Sequence, residues 1–292
     1  MSRIFIVGCG GIGQRVAHLC QQRGDDVCAL THSSDSAQKL GALGISTVNG
    51  NLDRPETLSD LPVADAVVYY LAPPPDSGIS DPRMVNFCQA VSSVATPKKV
   101  IYISTSGVYG DCAGAWVDES VPPAPQTDRS RRRLAAEGTL STWGVKRQVP
   151  IIILRVPGIY GPGRLPLDRV RQGMPVLRES ESPWTNRIHA DDLAQVCVAA
   201  AEKGQVGDIF NVSDGQPGTM TEYFNAVAAA FGLPLPLQIS MEEARSQLSP
   251  ALLSYLSESR RLDNRRMLQQ LGVVLRYPDL ASGLAAIREM DV

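Results

Sequence analysis

The chain has 292 residues, 43% of them hydrophobic and 20% charged, with a formal net charge of −2. That length suffices for one large core or two unequal lobes, the near-neutral balance sets up no basic field to draw nucleic acid, and no stretch approaches the ~18 unbroken apolar residues of a membrane helix. Six scattered cysteines without a Cys-x-x-Cys pair read as small buried hydrophobes of a reducing, cytoplasmic compartment, and His18, His32 and His189 stand too far apart for a metal site, so none is expected.

The first predicted element is the apolar run at 4–7, too short for a signal peptide and suited to a strand buried on both faces. Gly8-Cys9-Gly10-Gly11-Ile12-Gly13 follows and fits G-x-G-x-x-G. In such a segment Gly8 permits the tight turn, Gly10 lets the backbone approach a pyrophosphate, and Gly13 lets the helix sit close to the strand. Gly11 and Ile12 stand at the helix start, where N–H groups face phosphate oxygens. Ile12, Val16, Leu19 and Cys20 recur at helical spacing and stop before Gly24, which predicts an amphipathic helix. Strand, glycine loop and helix together point to a dinucleotide site rather than to an empty turn.

A second strand at 27–30 runs into Thr31, His32, Ser33 and Ser34. An acidic residue about twenty positions beyond the motif would bond a ribose 2′-hydroxyl and disfavour a 2′-phosphate. None stands at the strand's end, and Asp35 comes later. Thr31, Ser33 and Ser34 can donate hydrogen bonds, and His32 can add positive charge. The pattern favours NADP(H), with NAD(H) as the open alternative.

Further apolar runs at 66–70, 100–103 and 151–154 continue the alternation, which implies right-handed crossovers and a parallel sheet. Residues 158–183 are rich in Gly, Pro and Arg and read as loop plus a short helix. A strand at 208–212 rejoins the sheet. Helical patterns follow at 221–231 and 241–257, then a charged stretch at 260–266. The expected fold is α/β: a Rossmann-type doubly wound parallel sheet over 1–160, with 187–213 returning to it, and a smaller carboxyl-terminal substrate lobe from 161–186 and 214–292. In that lobe Arg164, Arg169, Arg171 and Arg187 are candidates to meet an anionic substrate and Trp184 to stack on a ring. Surface ion pairs and lobe packing are their plainer roles.

Five segments carry a resemblance along nearly the whole chain. They are Val68-Tyr69-Tyr70-Leu71-Ala72, Ser104-Thr105-Ser106-Gly107-Val108-Tyr109-Gly110, and Leu154-Arg155-Val156-Pro157-Gly158-Ile159-Tyr160-Gly161-Pro162-Gly163. Arg187-Ile188-His189-Ala190-Asp191-Asp192-Leu193 and Asn211-Val212-Ser213-Asp214-Gly215 complete the set. In this order they resemble the NAD-dependent epimerase/dehydratase family and, more narrowly, an atypical branch of the extended short-chain dehydrogenase/reductase superfamily. The resemblance implies that Leu52, Leu71, Ala72 and Pro73 border the cofactor and that Pro157 packs near the nicotinamide. It also implies that Thr105 is the catalytic hydroxyl that bonds the substrate oxygen. The plainer role for Thr105 is a strand-end hydroxyl satisfied by backbone.

Active relatives carry Tyr-x-x-x-Lys on the helix after the fifth strand, the tyrosine as general acid/base and the lysine as its activator and ribose holder. Alignment on Glu137 puts Arg129 at the tyrosine and Arg133 at the lysine, and no tyrosine lies on this helix. Arg133 could reach ribose or phosphate; a guanidinium such as Arg129 releases no proton near neutral pH. Arg131 and Arg132 divide between a solvated basic face and a functional cluster. Tyr109, Tyr160 and His189 are the remaining proton carriers, the tyrosines in motifs that look structural and His189 read as a buried partner. Asp191 and Asp192 are expected to cap a helix. Two functions follow. One is an NADP(H)-dependent oxidoreductase or epimerase acting on a small polar, anionic or sugar-like substrate. The other is a non-catalytic NADP(H) sensor. Neither nucleic acid nor membrane is an expected partner, and a homodimer is left open.

Overall fold

The computed structural model describes residues 1–290, the side chains of residues 92–94 and 250–251 excepted. Its centre is a parallel sheet of β1 (Arg3–Val7), β2 (Asp26–Thr31), β3 (Ser46–Asn49), β4 (Val67–Tyr70), β5 (Lys99–Thr105), β6 (Ile151–Val156) and β7 (Ile209–Asn211). The spatial order is β3-β2-β1-β4-β5-β6-β7, so strand order reverses between β1 and β4. A doubly wound sheet opens its ligand crevice at that point, beyond the carboxyl ends of the strands. The expected strand at 208–212 does rejoin the sheet, pairing with β6 from Ile209↔Ile153 to Asn211↔Arg155.

Alternation along the strands feeds both faces. Ile4 and Ile6 of β1 join a core with Val16, Ala17 and Cys20 of α1 (Gly11–Gln22) and Leu193, Ala194 and Cys197 of α6 (Ala190–Lys203). Phe5 and Val7 point the other way, onto Met84 and Phe87 of α3 (Pro82–Val94) and Ala136 and Leu140 of α4 (Asp128–Arg147). Each of the larger side chains, the Ile, Val, Leu, Phe and Met among them, contributes roughly 1.5–3 kcal/mol on burial. α1 ends where Gly24 takes a φ of +78°, the glycine stop its pattern predicts. The register Thr105↔Val156 between β5 and β6 sets the Thr105 strand end beside Pro157.

The lobe over the sheet's edge is held by α5 (Leu167–Arg171), α7 (Met220–Ala230) and α11 (Leu280–Met290), whose Val170, Phe224, Val227 and Leu284 share a small core. Two expectations about the carboxyl-terminal third change. The pattern at 241–257 is two helices, α8 (Met241–Gln247) and α9 (Pro250–Leu256), because a residue before proline is driven out of the α region. Ser249 accordingly sits at φ −65°, ψ 152° and accepts from the Leu252 N–H at 3.4 Å. The charged stretch at 260–266 leads into α10 (Arg265–Leu271), whose Met267 and Leu271 pack into the sheet's core rather than the lobe.

Candidate functional site

The glycine loop has the geometry its residues call for. A Cβ on Gly8, whose φ is +92°, would meet the Ala72 nitrogen at 2.5 Å, so the ends of β1 and β4 close tightly there. A Cβ on Gly13 would meet the Gly8 carbonyl oxygen at 2.8 Å, which is how α1 lies so close to β1. Above Gly10 nothing lies within 4 Å of the same test position. No side chain caps α1 at Gly10, and its first turn holds no acidic residue, so its N–H groups present an electropositive end. Burial pushes the Cys9 thiol up to about 11, so it adds no negative charge to the loop. Open space over a glycine and an uncapped helix start at the switch point fit a dinucleotide's diphosphate.

At the end of β2, Thr31 is buried and His32 exposed. Ser33 is spent in part as the cap of α2 (Ser34–Ala42), accepting from the Ser36 N–H at 3.3 Å. Leu71 donates its N–H to Val7 O at 2.7 Å, and Ala72 is buried against Gly8. The sequence reading missed Asp53, beside Leu52. Arg83 donates to both its carboxylate oxygens at 2.7 Å and to Pro73 O at 3.1 Å. That hydrogen bonding, aided by the nearby His32, holds Asp53 below the usual carboxylate range.

Beyond Pro73 opens a cleft of about 540 Å³ that Thr105 and Pro157 also line. The Thr105 hydroxyl oxygen accepts from the Gly107 N–H at 3.2 Å and caps the short turn Ser106–Tyr109. Its proton has no acceptor among the described residues. Arg129, Arg132 and Arg133 of α4 line the cleft together with Arg187, Tyr255 and Arg260 from the chain's second half.

Each arginine is tied to neutral oxygen. Arg133 donates to Ile103 O at 3.0 Å and to Ala72 O at 3.4 Å, bridging the ends of β4 and β5. Arg129 donates to Ser254 Oγ at 2.7 Å and Ser254 O at 3.1 Å, and stacks 3.8 Å from the Tyr255 ring centroid. Arg132 is buried and donates to Gly78 O at 2.6 Å, whereas Arg131 is exposed and pairs with Asp128 at 2.9 Å. Only Arg131 therefore belongs to a solvated face. Arg187 donates to Asn186 O at 2.9 Å and lies 4.1 Å from the Tyr223 ring centroid. Against these cations the cleft sets Asp76 and the buried Glu258, the latter already paired with Arg260 at 2.9 Å. The cleft is positive.

Other expected groups lie elsewhere. Tyr109 and Tyr160 are buried, donate to Asn211 Oδ1 at 2.8 Å and Asp279 O at 3.2 Å, and do not line the cleft. Burial pushes both phenols up. The cap of α6 is His189 itself, whose Nδ1 accepts from the Asp191 N–H at 3.2 Å, and burial brings its pKa down to about 4. The expected caps serve as anchors instead, because His189 already occupies the cap position. Asp191 pairs with Arg15 at 2.6 Å; Asp192 accepts from the Arg276 and Tyr277 N–H groups at 2.7 and 2.9 Å. In the lobe Arg171 pairs with Asp168 at 3.2 Å, Arg169 lies 4.5 Å from the Phe224 ring centroid, and Trp184 lines the cleft. Tyr255, Glu258 and Arg260 were not read as site residues, because they lie far along the chain from the segments they meet in the cleft.

Comparison with known proteins follows the same lines. The model of the "NAD dependent epimerase/dehydratase family" matches residues 4–213. The Homo sapiens dTDP-D-glucose 4,6-dehydratase is 26% identical over 126 residues, which are 40% of this chain and 36% of that protein. This chain thus matches little more than a third of the length of that relative. A conserved protein of unknown function from Silicibacter pomeroyi is 27% identical, with a TM-score of 0.86 over 100% of this chain and 99% of that one. The UDP-glucuronic acid 4-epimerase of Bacillus cereus, solved in complex with NAD, shares the fold at 19% identity and a TM-score of 0.75, covering 98% and 97% of the two chains. Among the described residues no helix is long and apolar enough to cross a membrane.

Proposed function

The chain belongs to the NAD-dependent epimerase/dehydratase family, and we propose that it is an NADP(H)-preferring oxidoreductase or epimerase that acts on an anionic, sugar-like small molecule. The observation that carries this reading is the adjacency of two features: Ala72, against which Gly8 of the open glycine cradle closes, is followed in the chain by Pro73, which lines a positive cleft with Thr105 and Pro157. The dinucleotide, when bound, supplies hydride chemistry. Thr105, its oxygen fixed by the Gly107 N–H, keeps its proton to donate to a substrate carbonyl or hydroxyl oxygen. Arg133 and Arg187, without carboxylate partners, would hold the substrate's anionic groups. Among the described residues Tyr255 is the one tyrosine lining the cleft, and it would bring there the phenol that α4 lacks. The NADP(H) preference rests on exposed His32 and on the neutralisation of Asp53 by Arg83, which leaves a 2′-phosphate unopposed. Six free thiols support a reducing, cytoplasmic compartment.

The test is a titration with NADPH and NADH, then a screen of carbonyl compounds and nucleotide sugars for loss of reduced-nicotinamide absorbance. The expected result is tighter NADPH binding and a turnover that Thr105→Val lowers by roughly 10²-fold or more. Tighter NADH binding would overturn the preference. Tight cofactor binding with no turnover anywhere in the screen would favour a second reading, an NADP(H) sensor. The specific support for that alternative is the Arg129 tie between α4 and α9, through which a shift of α4 would reach the lobe.

A further inference from the structure

Arg164 follows the turn Gly161-Pro162-Gly163 and precedes α5. Its N–H donates to Gly161 O at 3.0 Å, and Gly161 and Gly163 have φ values of +147° and +69°, so the loop folds back sharply. The fold-back carries the guanidinium to the glycine cradle. Nη2 of Arg164 lies 3.1 Å, and Nε 3.8 Å, from the point a Cβ on Gly11 would occupy.

Among the described residues no carboxylate accounts for a cation there. Arg164 is exposed and has no side-chain hydrogen bond or ion pair among the described residues. Its neighbour Arg15 is committed, donating to Gly11 O at 2.9 Å and to Asp191 at 2.6 Å. Arg164 thus faces the positive end of a helix with no carboxylate partner of its own among the described residues, an arrangement that favours an anion between the guanidinium and the helix start. A separate observation concerns Gly11. The tight turn, the open approach and the close helix contact belong to Gly8, Gly10 and Gly13, so the motif leaves position 11 free to carry a side chain. Here a Cβ at that position would come within 3.1 Å of Arg164 Nη2, so the guanidinium fills the space that glycine leaves open.

We propose that Arg164 closes over the cofactor's diphosphate, binding it through its planar fork from the side opposite the α1 N–H groups. This rests on the dinucleotide reading above and adds a residue from the Tyr160–Arg164 loop to the cradle. A diphosphate between a guanidinium and a helix start gains charge-assisted hydrogen bonds from both sides. The shared loop also connects the cofactor to α5 of the lobe.

The experiment titrates the full chain with NADPH at two ionic strengths, for the native protein, Arg164→Ala and Arg164→Lys, and records unfolding of each without ligand. The expected result is a dissociation constant at least tenfold weaker for Arg164→Ala, with a shallower salt dependence, and an intermediate value for Arg164→Lys. Unliganded unfolding midpoints should match, since Arg164 contacts no partner that its loss would strand. Native protein that binds NADPH while Arg164→Ala binds it within twofold would overturn this inference and leave the dinucleotide reading intact. Native protein that binds neither NADPH nor NADH would overturn both.

Discussion

Gly8 and Gly10 stand two residues apart in one motif, yet their replacement by alanine should damage different properties. At Gly8 the added Cβ would lie 2.5 Å from Ala72 N, 2.7 Å from Ala72 Cα and 2.8 Å from Leu71 C, at a φ of +92°. All three are backbone atoms and cannot rotate away. The left-handed φ costs roughly 1–2 kcal/mol and the overpacking about 1–3 kcal/mol, together ~2–5 kcal/mol. For a chain of 292 residues about 0.6 kcal/mol/K of unfolding entropy converts that loss to a drop in Tm of roughly 3–8 °C. At Gly10 the φ is −81° and no atom lies within 4 Å, so alanine fits the empty protein. Its weaker cap is offset by lower unfolded-state entropy, and the stability change should stay within about 0.5 kcal/mol. The methyl would instead occupy the space assigned to the diphosphate, weakening NADPH at least tenfold, about 1.4 kcal/mol. Thermal unfolding and fluorescence titration of the two variants decide the matter. A Gly10→Ala protein that binds NADPH like the native one, or that loses as much Tm as Gly8→Ala, would refute the assignment of these glycines.

Further predictions come from polar groups in the cleft wall and in the core. Glu137 is buried, accepts from Ser104 Oγ at 2.5 Å and pairs with Arg155 at 2.8 Å, so Glu137→Gln strands a buried guanidinium and should cost about 3–5 kcal/mol, read as a lower Tm. Arg129→Ala removes two hydrogen bonds and a ring contact but leaves nothing charged behind; it should lower stability by only ~1–2 kcal/mol while speeding amide exchange in α9. Two buried groups set opposite pH slopes. His189 is brought down from 6.5 to about 4, chiefly by burial, so the unfolded state takes up its proton first; its contribution is full above pH 6.5 and is lost as pH falls through 4, a change of roughly 3 kcal/mol. Asp214 is raised from 3.8 to about 7, again chiefly by burial, so its contribution is full below pH 3.8 and is lost as pH rises through 7. Asp214→Asn keeps an acceptor for the Gln216 N–H and should raise Tm at pH 8 relative to the native protein. Melting curves across pH 4–8 test both, and an Asp214→Asn variant that is no more stable at pH 8 would count against a buried charge there.

The sheet was legible because strands buried on both faces read as unbroken apolar runs, and the glycine loop because conformational demand selects glycine itself. β3 escaped notice for the converse reason. As the edge strand it carries Ser46, Thr47, Val48 and Asn49, with no fully buried position and so no apolar run. The break between α8 and α9 was encoded by Pro250, but an otherwise continuous helical pattern masked it. Asp53 was hidden because its relevance depends on Arg83, thirty residues on, reaching back across the carboxyl edge.

The arginines of α4 show most plainly where reading residues in order stops. Arg129, Arg131, Arg132 and Arg133 form one basic run in sequence, and a helix turn fans them around its axis. One pairs with a carboxylate, and it is the exposed one, Arg131. The other three find main-chain carbonyls of Ser254, Gly78, Ala72 and Ile103, with the Ser254 hydroxyl beside them. A carboxylate partner announces itself as an Asp or Glu at some spacing, but a carbonyl is present at every residue and leaves no mark in the sequence. The same fact keeps these cations available to a ligand. A neutral carbonyl orients a guanidinium without cancelling its charge, so these arginines are positioned and still positive, as the anionic substrate proposed for the cleft would require.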